Sequence, residues 1–253
     1  MHDEEGEPLG ELTRSIYTRA ILKISGETLS GEGANGINAS HVSFVAHEIK
    51  EAYELGVELA IVMGGGNLVR GEELAKTGIV RETADKMGML LTVANALCLQ
   101  DGLEKLGLPV RVAIAQQMPD FGEYYVSQKV RHHLRKREIV ILAAGTGNPF
   151  VSTDTAAVLR ACELRADVIL KATKVEGVYS KDPQEQGAEF LRTLTSEQML
   201  QWGLKIMDST AASMVKDNRI PIVVFRIFDK GNLRKVLLGD PSVGSRVDYQ
   251  SQI

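Results

Sequence analysis

Cysteine is nearly absent from this chain. The two present, Cys98 and Cys162, sit inside apolar helical patterns without CxxC spacing. That argues against a disulfide framework and for free thiols buried in a reducing compartment. No apolar run approaches the roughly 20 residues needed to span a bilayer. The opening residues Met1-His2-Asp3-Glu4-Glu5-Gly6-Glu7 are acidic where a secretory signal would be basic and then apolar, so the cytoplasm is the expected location. Positive charge is not in excess: the net charge is −4, and nothing favours a nucleic-acid or membrane partner. His41, His47, His132 and His133 lack ligand spacing, and the cations from Arg131 to Arg137 read as a solvated helix end. GxxxxGK[ST] is absent, which excludes a Walker A loop, and the glycine triplet Gly64-Gly65-Gly66 is not GxGxxG, which leaves a Rossmann dehydrogenase poorly supported.

What is present is ordinary in bulk, 253 residues with 44% hydrophobic and 25% charged, and specific in pattern. Residues 1–17 are polar and Gly/Pro-punctuated and read as a flexible tail, with one domain over 18–253. Strands are expected at about 19–24, 57–63, 110–114, 139–144, 168–171 and 220–225, and helices at 41–55, 82–106, 123–136 and 153–165. Gly56 and Gly107 stand where the first two helices should stop. Strands that are apolar throughout and alternate with helices specify a mostly parallel central sheet covered on both faces, an α/β three-layer sandwich. In such sheets ligands lie beyond the carboxyl ends of the strands.

Four of those ends carry small or polar residues. Lys23-Ile24-Ser25-Gly26 closes the first strand, and Gly64-Gly65-Gly66-Asn67 with Arg70 closes the second. Gly145-Thr146-Gly147-Asn148-Pro149-Phe150-Val151-Ser152-Thr153-Asp154 follows the strand at 139–144, and Lys171 ends the strand at 168–171. Bare amides at consecutive glycines, an arginine fork and two strand-end lysines are what a polyphosphate requires. Asp154 falls in a first helical turn, where it could orient Lys23 and Lys171 or hold a magnesium-bound water, while Thr153 or Asp154 caps the helix. The segment Thr173 to Pro183, with Tyr179 and Asp182, reads either as a plain loop or as a flap against a base.

Taken in order with Asp85-Lys86-Met87-Gly88-Met89, these blocks resemble the bacterial uridylate (UMP) kinases of the amino acid kinase superfamily, over about 19–240. The resemblance implies transfer of the ATP γ-phosphoryl group to UMP with Mg2+. It implies that Lys23, Ile24, Ser25, Gly26 and Gly66 line the ATP phosphates and that Arg70 sits between donor and acceptor. Thr173, Tyr179 and Asp182 would bound the adenine side. Gly65 and Thr153 would hold the UMP phosphate, Asp85 the ribose, and Thr146, Gly147, Asn148, Pro149, Phe150, Val151, Ser152 and Thr153 the uridine. It also implies a homohexamer built as a trimer of dimers, activated by GTP and inhibited by UTP, with Gly31, Glu32, Gly33, Ala34, Asn35 and Gly36 matching the segment associated with GTP. Asp208 falls in a family-like block without an assigned role. A carboxylate or carbamate kinase of the same fold, and a non-catalytic nucleotide sensor, are the alternatives.

Overall fold

The computed structural model describes residues 14–30, 36–67, 78–204 and 206–249. Arg70 and residues 31–35 of the expected effector segment lie outside them. Nine strands form one sheet. Chain order gives β1 (Arg19–Ile24), a 3-10 turn (Gly26–Leu29), α1 (Ala39–Glu54), β2 (Glu58–Met63), α2 (Arg81–Glu104), β3 (Val110–Ile114) and β4 (Glu123–Tyr124). Then come α3 (Ser127–Arg135), β5 (Ile139–Ala143), α4 (Thr153–Leu164), β6 (Val168–Thr173), β7 (Val178–Tyr179), β8 (Phe190–Leu191), β9 (Thr193–Thr195) and α5 (Ser196–Gln201). The chain closes with α6 (Ser209–Asn218), β10 (Ile222–Arg226), α7 (Asn232–Leu237) and β11 (Ser245–Asp248). The sheet order is β4-β3-β5-β2-β1-β6-β10-β11-β9, with β7 and β8 as a separate hairpin. Every pairing in the large sheet is parallel except β10 with β11.

The two faces follow from the period of a strand. Ala20, Leu22 and Ile24 pack with α1, α2 and α7, while Ile21 packs with α3, α4, α5 and α6 on the other side. The central strands are buried on both faces, so their sequences run apolar without alternation. Lys23 shares the face of Ile21, which points it toward α4.

Gly56 and Gly107 do follow the first two helices, with φ of +87° and +76°. The expected helix over 123–136 is corrected. Glu123 and Tyr124 pair with β3 instead, Tyr125 N donates to Ile114 O at 2.9 Å or less (2.8 Å), and only Ser127–Arg135 is helical. An open sheet edge captures the segment. Gly122 permits this, since a Cβ there would stand 2.7 Å from Val112 O. Of the expected tail, residues 14–17 are described: Ser15 N donates to Leu55 O, Ile16 N to Leu237 O, and the Tyr17 hydroxyl accepts from Arg246. Cys98 and Cys162 are unpaired and half-buried, and burial pushes both thiols above their ordinary range. Among the described residues no helix is long and apolar enough to cross a membrane.

Candidate active site

Lys23 and Lys171 are register partners on the parallel pair β1 and β6, so both ammonium groups leave the same face side by side. Directly opposed like charges destabilise a sheet unless something stands between them. Asp154 does. Lys23 Nζ lies 2.7 Å from its Oδ1 and Lys171 Nζ 2.6 Å from its Oδ2. All three side chains are largely buried, at 10%, 13% and 17% exposure. Lys171 also donates to the carbonyl of Ile206. Burial holds the Lys171 ammonium below the ordinary lysine range, with Asp154 opposing that shift. For Asp154 burial favours the neutral acid, but Lys23 and Lys171 together outweigh it and keep the carboxyl below its ordinary value of 3.8.

Asp154 is aimed by the start of α4. Ser152, rather than Thr153 or Asp154 as expected, caps that helix: its Oγ accepts from Asp154 N at 3.1 Å and Thr155 N at 3.0 Å. Ser152 in turn donates to Asp208, as does Thr155 at 2.9 Å, while Asp208 caps α6 by accepting from Ala211 N at 3.0 Å. One carboxylate thus ties two helix starts together, which gives Asp208 the role the sequence left open. The pattern Asp208 followed by Ser209-Thr210-Ala211 was a legible cap; its bonds to α4, more than 50 residues away, were not. Replacing Asp208 with alanine removes a cap and two charge-assisted hydrogen bonds. A loss of about 2–3 kcal/mol is expected, read as a fall of roughly 5–10 °C in Tm.

Burial also raises Asp208, but Ser152, the Ala211 amide and Thr155 outweigh it, so its carboxyl too lies below 3.8. Groups depressed in this way contribute stability that is complete above their unfolded values and is lost as pH falls through the folded ones. Thermal melts from about pH 6 down to pH 2 should therefore hold level at first and then decline on the acid side, and Asp208→Asn should flatten that decline.

The glycine run has a packing reason of its own. A Cβ on Gly64 would stand 2.9 Å from Gly26 N, one on Gly26 2.8 Å from Gly66 N, and one on Gly65 2.9 Å from Gly88 O. The first two strand ends therefore touch backbone to backbone, and α2 presses on the second. Gly64 N donates to Ile24 O at 2.8 Å. Buried Asn67 and Asn95 exchange amide hydrogen bonds, and Asn67 also donates to Gly36 O at 2.8 Å, fixing the turn. Ser25 Oγ stands 3.1 Å from Thr28 Oγ1 at the start of the 3-10 turn.

From Lys171 a cleft of about 590 Å3 opens outward. Thr173, Tyr179 and Asp182, which the resemblance assigns to the donor side, line it together with Trp202 and Ile206, which the sequence did not single out. Thr173 Oγ1 donates to Val175 O at 2.7 Å and Asp182 accepts from Gln184 N at 3.0 Å, so both are built into the cleft wall. A volume of this size accommodates a nucleotide.

Residues that the resemblance assigns to the acceptor form a second group. Gly147 borders a smaller cavity of about 260 Å3 with Lys86, Met89 and Gln116. Gln116 donates to Gly147 O at 2.6 Å, Asn148 N donates to Thr146 Oγ1 at 3.3 Å, and buried Arg160 reaches Gly145 O at 3.1 Å. Asp85 accepts from Phe150 N at 2.8 Å and from Arg81, so it pins the turn that carries Pro149 and Phe150. Phe150 and Val151 are exposed, at 68% and 39%. Among the described residues no cluster of three or more His, Cys, Asp or Glu stands ready to hold a metal.

Residues 18–226 match the model of the amino acid kinase family. The chain is 49% identical over 231 residues to a uridylate kinase of Campylobacter jejuni subsp. doylei, covering 90% of this chain and 97% of that one. Its structure superposes on a UMP kinase from Bacillus anthracis with a TM-score of 0.89 at 34% identity, over 93% of this chain and 97% of that one. A UMP kinase from Ureaplasma parvum superposes with a TM-score of 0.85 at 31% identity, over 91% and 98%. With its lysine pair, its glycine junctions and this degree of likeness, the chain belongs to the amino acid kinase family, among the uridylate kinases.

Proposed function

We propose that this chain transfers the γ-phosphoryl group of ATP to UMP, giving ADP and UDP, as a step of pyrimidine nucleotide synthesis. The observation that carries the reading is the side-by-side pair Lys23 and Lys171, bridged by Asp154, with Lys171 lining a nucleotide-sized cleft. Phosphoryl transfer requires positioning and charge stabilisation more than covalent chemistry. The two ammonium groups are set where charge develops on the moving group, and Asp154 keeps both aimed without a reorganisation cost at the moment of transfer. Bare amides at Gly26 and Gly66 take donor phosphate oxygens, with Arg70 between donor and acceptor, and Gly65 and Thr153 take the acceptor phosphate. The segment from Thr146 to Thr153 holds uridine, and Asp85 faces the ribose.

Asp154, whose two oxygens are held by Lys23 and Lys171, would hold a water of the magnesium ion that accompanies ATP, and the ion would supply neutralisation of phosphate charge. Cytoplasmic location, activation by GTP through residues 31–36, inhibition by UTP and a hexamer made of three dimers complete the reading. ADP release with UMP, CMP, aspartate and acetylglutamate as acceptors tests the assignment. Turnover with UMP is expected, and failure with UMP overturns it.

A further inference from the structure

Two aromatic rings border the large cleft among the described residues, Tyr179 and Trp202, and they are not equivalent. The Tyr179 ring is already engaged, edge-on to Phe190 at 5.3 Å between centroids, with its hydroxyl donating to Glu176 at 3.3 Å. Trp202 has no ring partner and no side-chain hydrogen bond among the described residues, and it is 54% exposed. A lone apolar side chain on a convex surface needs no explanation. An unengaged indole on the wall of a concave cleft, with Lys171 at the cleft's inner end, is a different matter.

The backbone beneath Trp202 is fixed from both sides. Helix α5 begins with a reciprocal capping box between Thr195 and Gln198. It ends at Trp202, whose amide donates to Gln198 O at 2.9 Å. Gly203 follows with φ +62°, and Leu204 N returns to Met199 O at 3.1 Å. The backbone beneath the ring is therefore held by a short, tightly closed helix end, so only the side-chain torsions of the indole are ordered when something stacks on it.

Resting on the reading of this cleft as the donor side, we infer that Trp202 is the stacking wall for the donor nucleobase and biases the enzyme toward purine triphosphates. With the phosphates at Lys171, the base lies farther out in the same cleft, where the indole stands. A bicyclic purine overlaps an indole more fully than a pyrimidine does, so the preference follows from ring area and does not require hydrogen-bond readout.

Trp202 is the only tryptophan in the chain, which makes the test direct. Tryptophan-selective fluorescence of the intact protein should be quenched by ATP or ADP in the absence of acceptor and unaffected by UMP alone. Trp202→Ala should raise KM for ATP about tenfold or more, the factor that loss of one base–aromatic stack carries, with kcat and KM for UMP within about twofold. Its preference for ATP over CTP as donor should narrow at least about threefold, and Trp202→Phe should restore most of both. Absence of quenching at saturating ATP, quenching by UMP alone, or an unchanged KM for ATP in the alanine variant overturns the inference. An enzyme active on UMP whose Trp202 is indifferent to ATP refutes the stacking role alone. A chain that binds ATP at Trp202 but leaves UMP untouched refutes the proposed reaction alone.

Discussion

Replacing Lys23 with alanine is expected to lower kcat by about 10²–10³-fold while leaving KM for UMP within about threefold. The expectation follows from where the charge sits. Lys23 projects from the end of β1 beside Lys171 and is 10% exposed, so its ammonium acts where water screens it little. A cation aimed at a transferring phosphoryl group meets more charge in the transition state than in the bound substrates, and its loss therefore appears in turnover. The acceptor-side residues lie on other elements: Gly65 is packed against Gly88 of α2, and Thr146 to Ser152 form the turn after β5. On the proposed reading, their hold on UMP does not pass through Lys23. Steady-state kinetics with each substrate varied at saturation of the other decides the matter, and parallel losses in kcat and UMP affinity would contradict the role.

Asp154→Ala is expected to be the most destabilising single change in the site, by about 3–5 kcal/mol, because it leaves two buried ammonium groups facing each other with no counterion. The pairing register of β1 and β6 keeps the two Cα atoms side by side, so only the lysine stems can swing to relieve the repulsion. Removing Lys171 at the same time should recover much of the loss. In the double variant Asp154→Ala/Lys171→Met, Lys23 no longer faces a like charge, and the methionine stem fills the space. A cycle of the two single variants and the double, followed by denaturant unfolding, measures the coupling. Additive losses would mean that Asp154 serves α4 alone and not the lysine pair.

Much of this arrangement was legible in the sequence. Long strands with apolar residues on both faces, such as β1, β2 and β5, announce themselves by composition, and Lys23 and Lys171 stand out as charges with apolar neighbours on both sides in β1 and β6. The segments that escaped notice are those whose structure is supplied by a partner. Two-residue strands such as β4 and β7 carry no periodicity, and their ladders exist only because β3 and β8 offer an edge. The register that sets Lys23 opposite Lys171 is a property of two distant strands, and neither sequence states it alone. The glycine run was read as space for phosphates. The backbone contacts of Gly26, Gly64 and Gly65 add a requirement of their own, that of letting two strand ends and a helix meet. Trp202 went unnoticed because an indole at a helix end has no sequence context that distinguishes a cleft from open surface.

The clamp at the foot of β1 and β6 has a consequence for how competence arises. Thr18 N and Arg19 N both donate to Asp167, the latter across 148 residues of chain. The lysine pair comes into existence only when β1 and β6 join, the closure that these two hydrogen bonds hold at its other end. Pairings of such long separation are slow to form, although their entropic cost grows only weakly with ring size. A nascent chain not yet extended through Thr173 lacks β6 and with it the paired lysines, so that arrangement waits on a long-range closure rather than building by degrees.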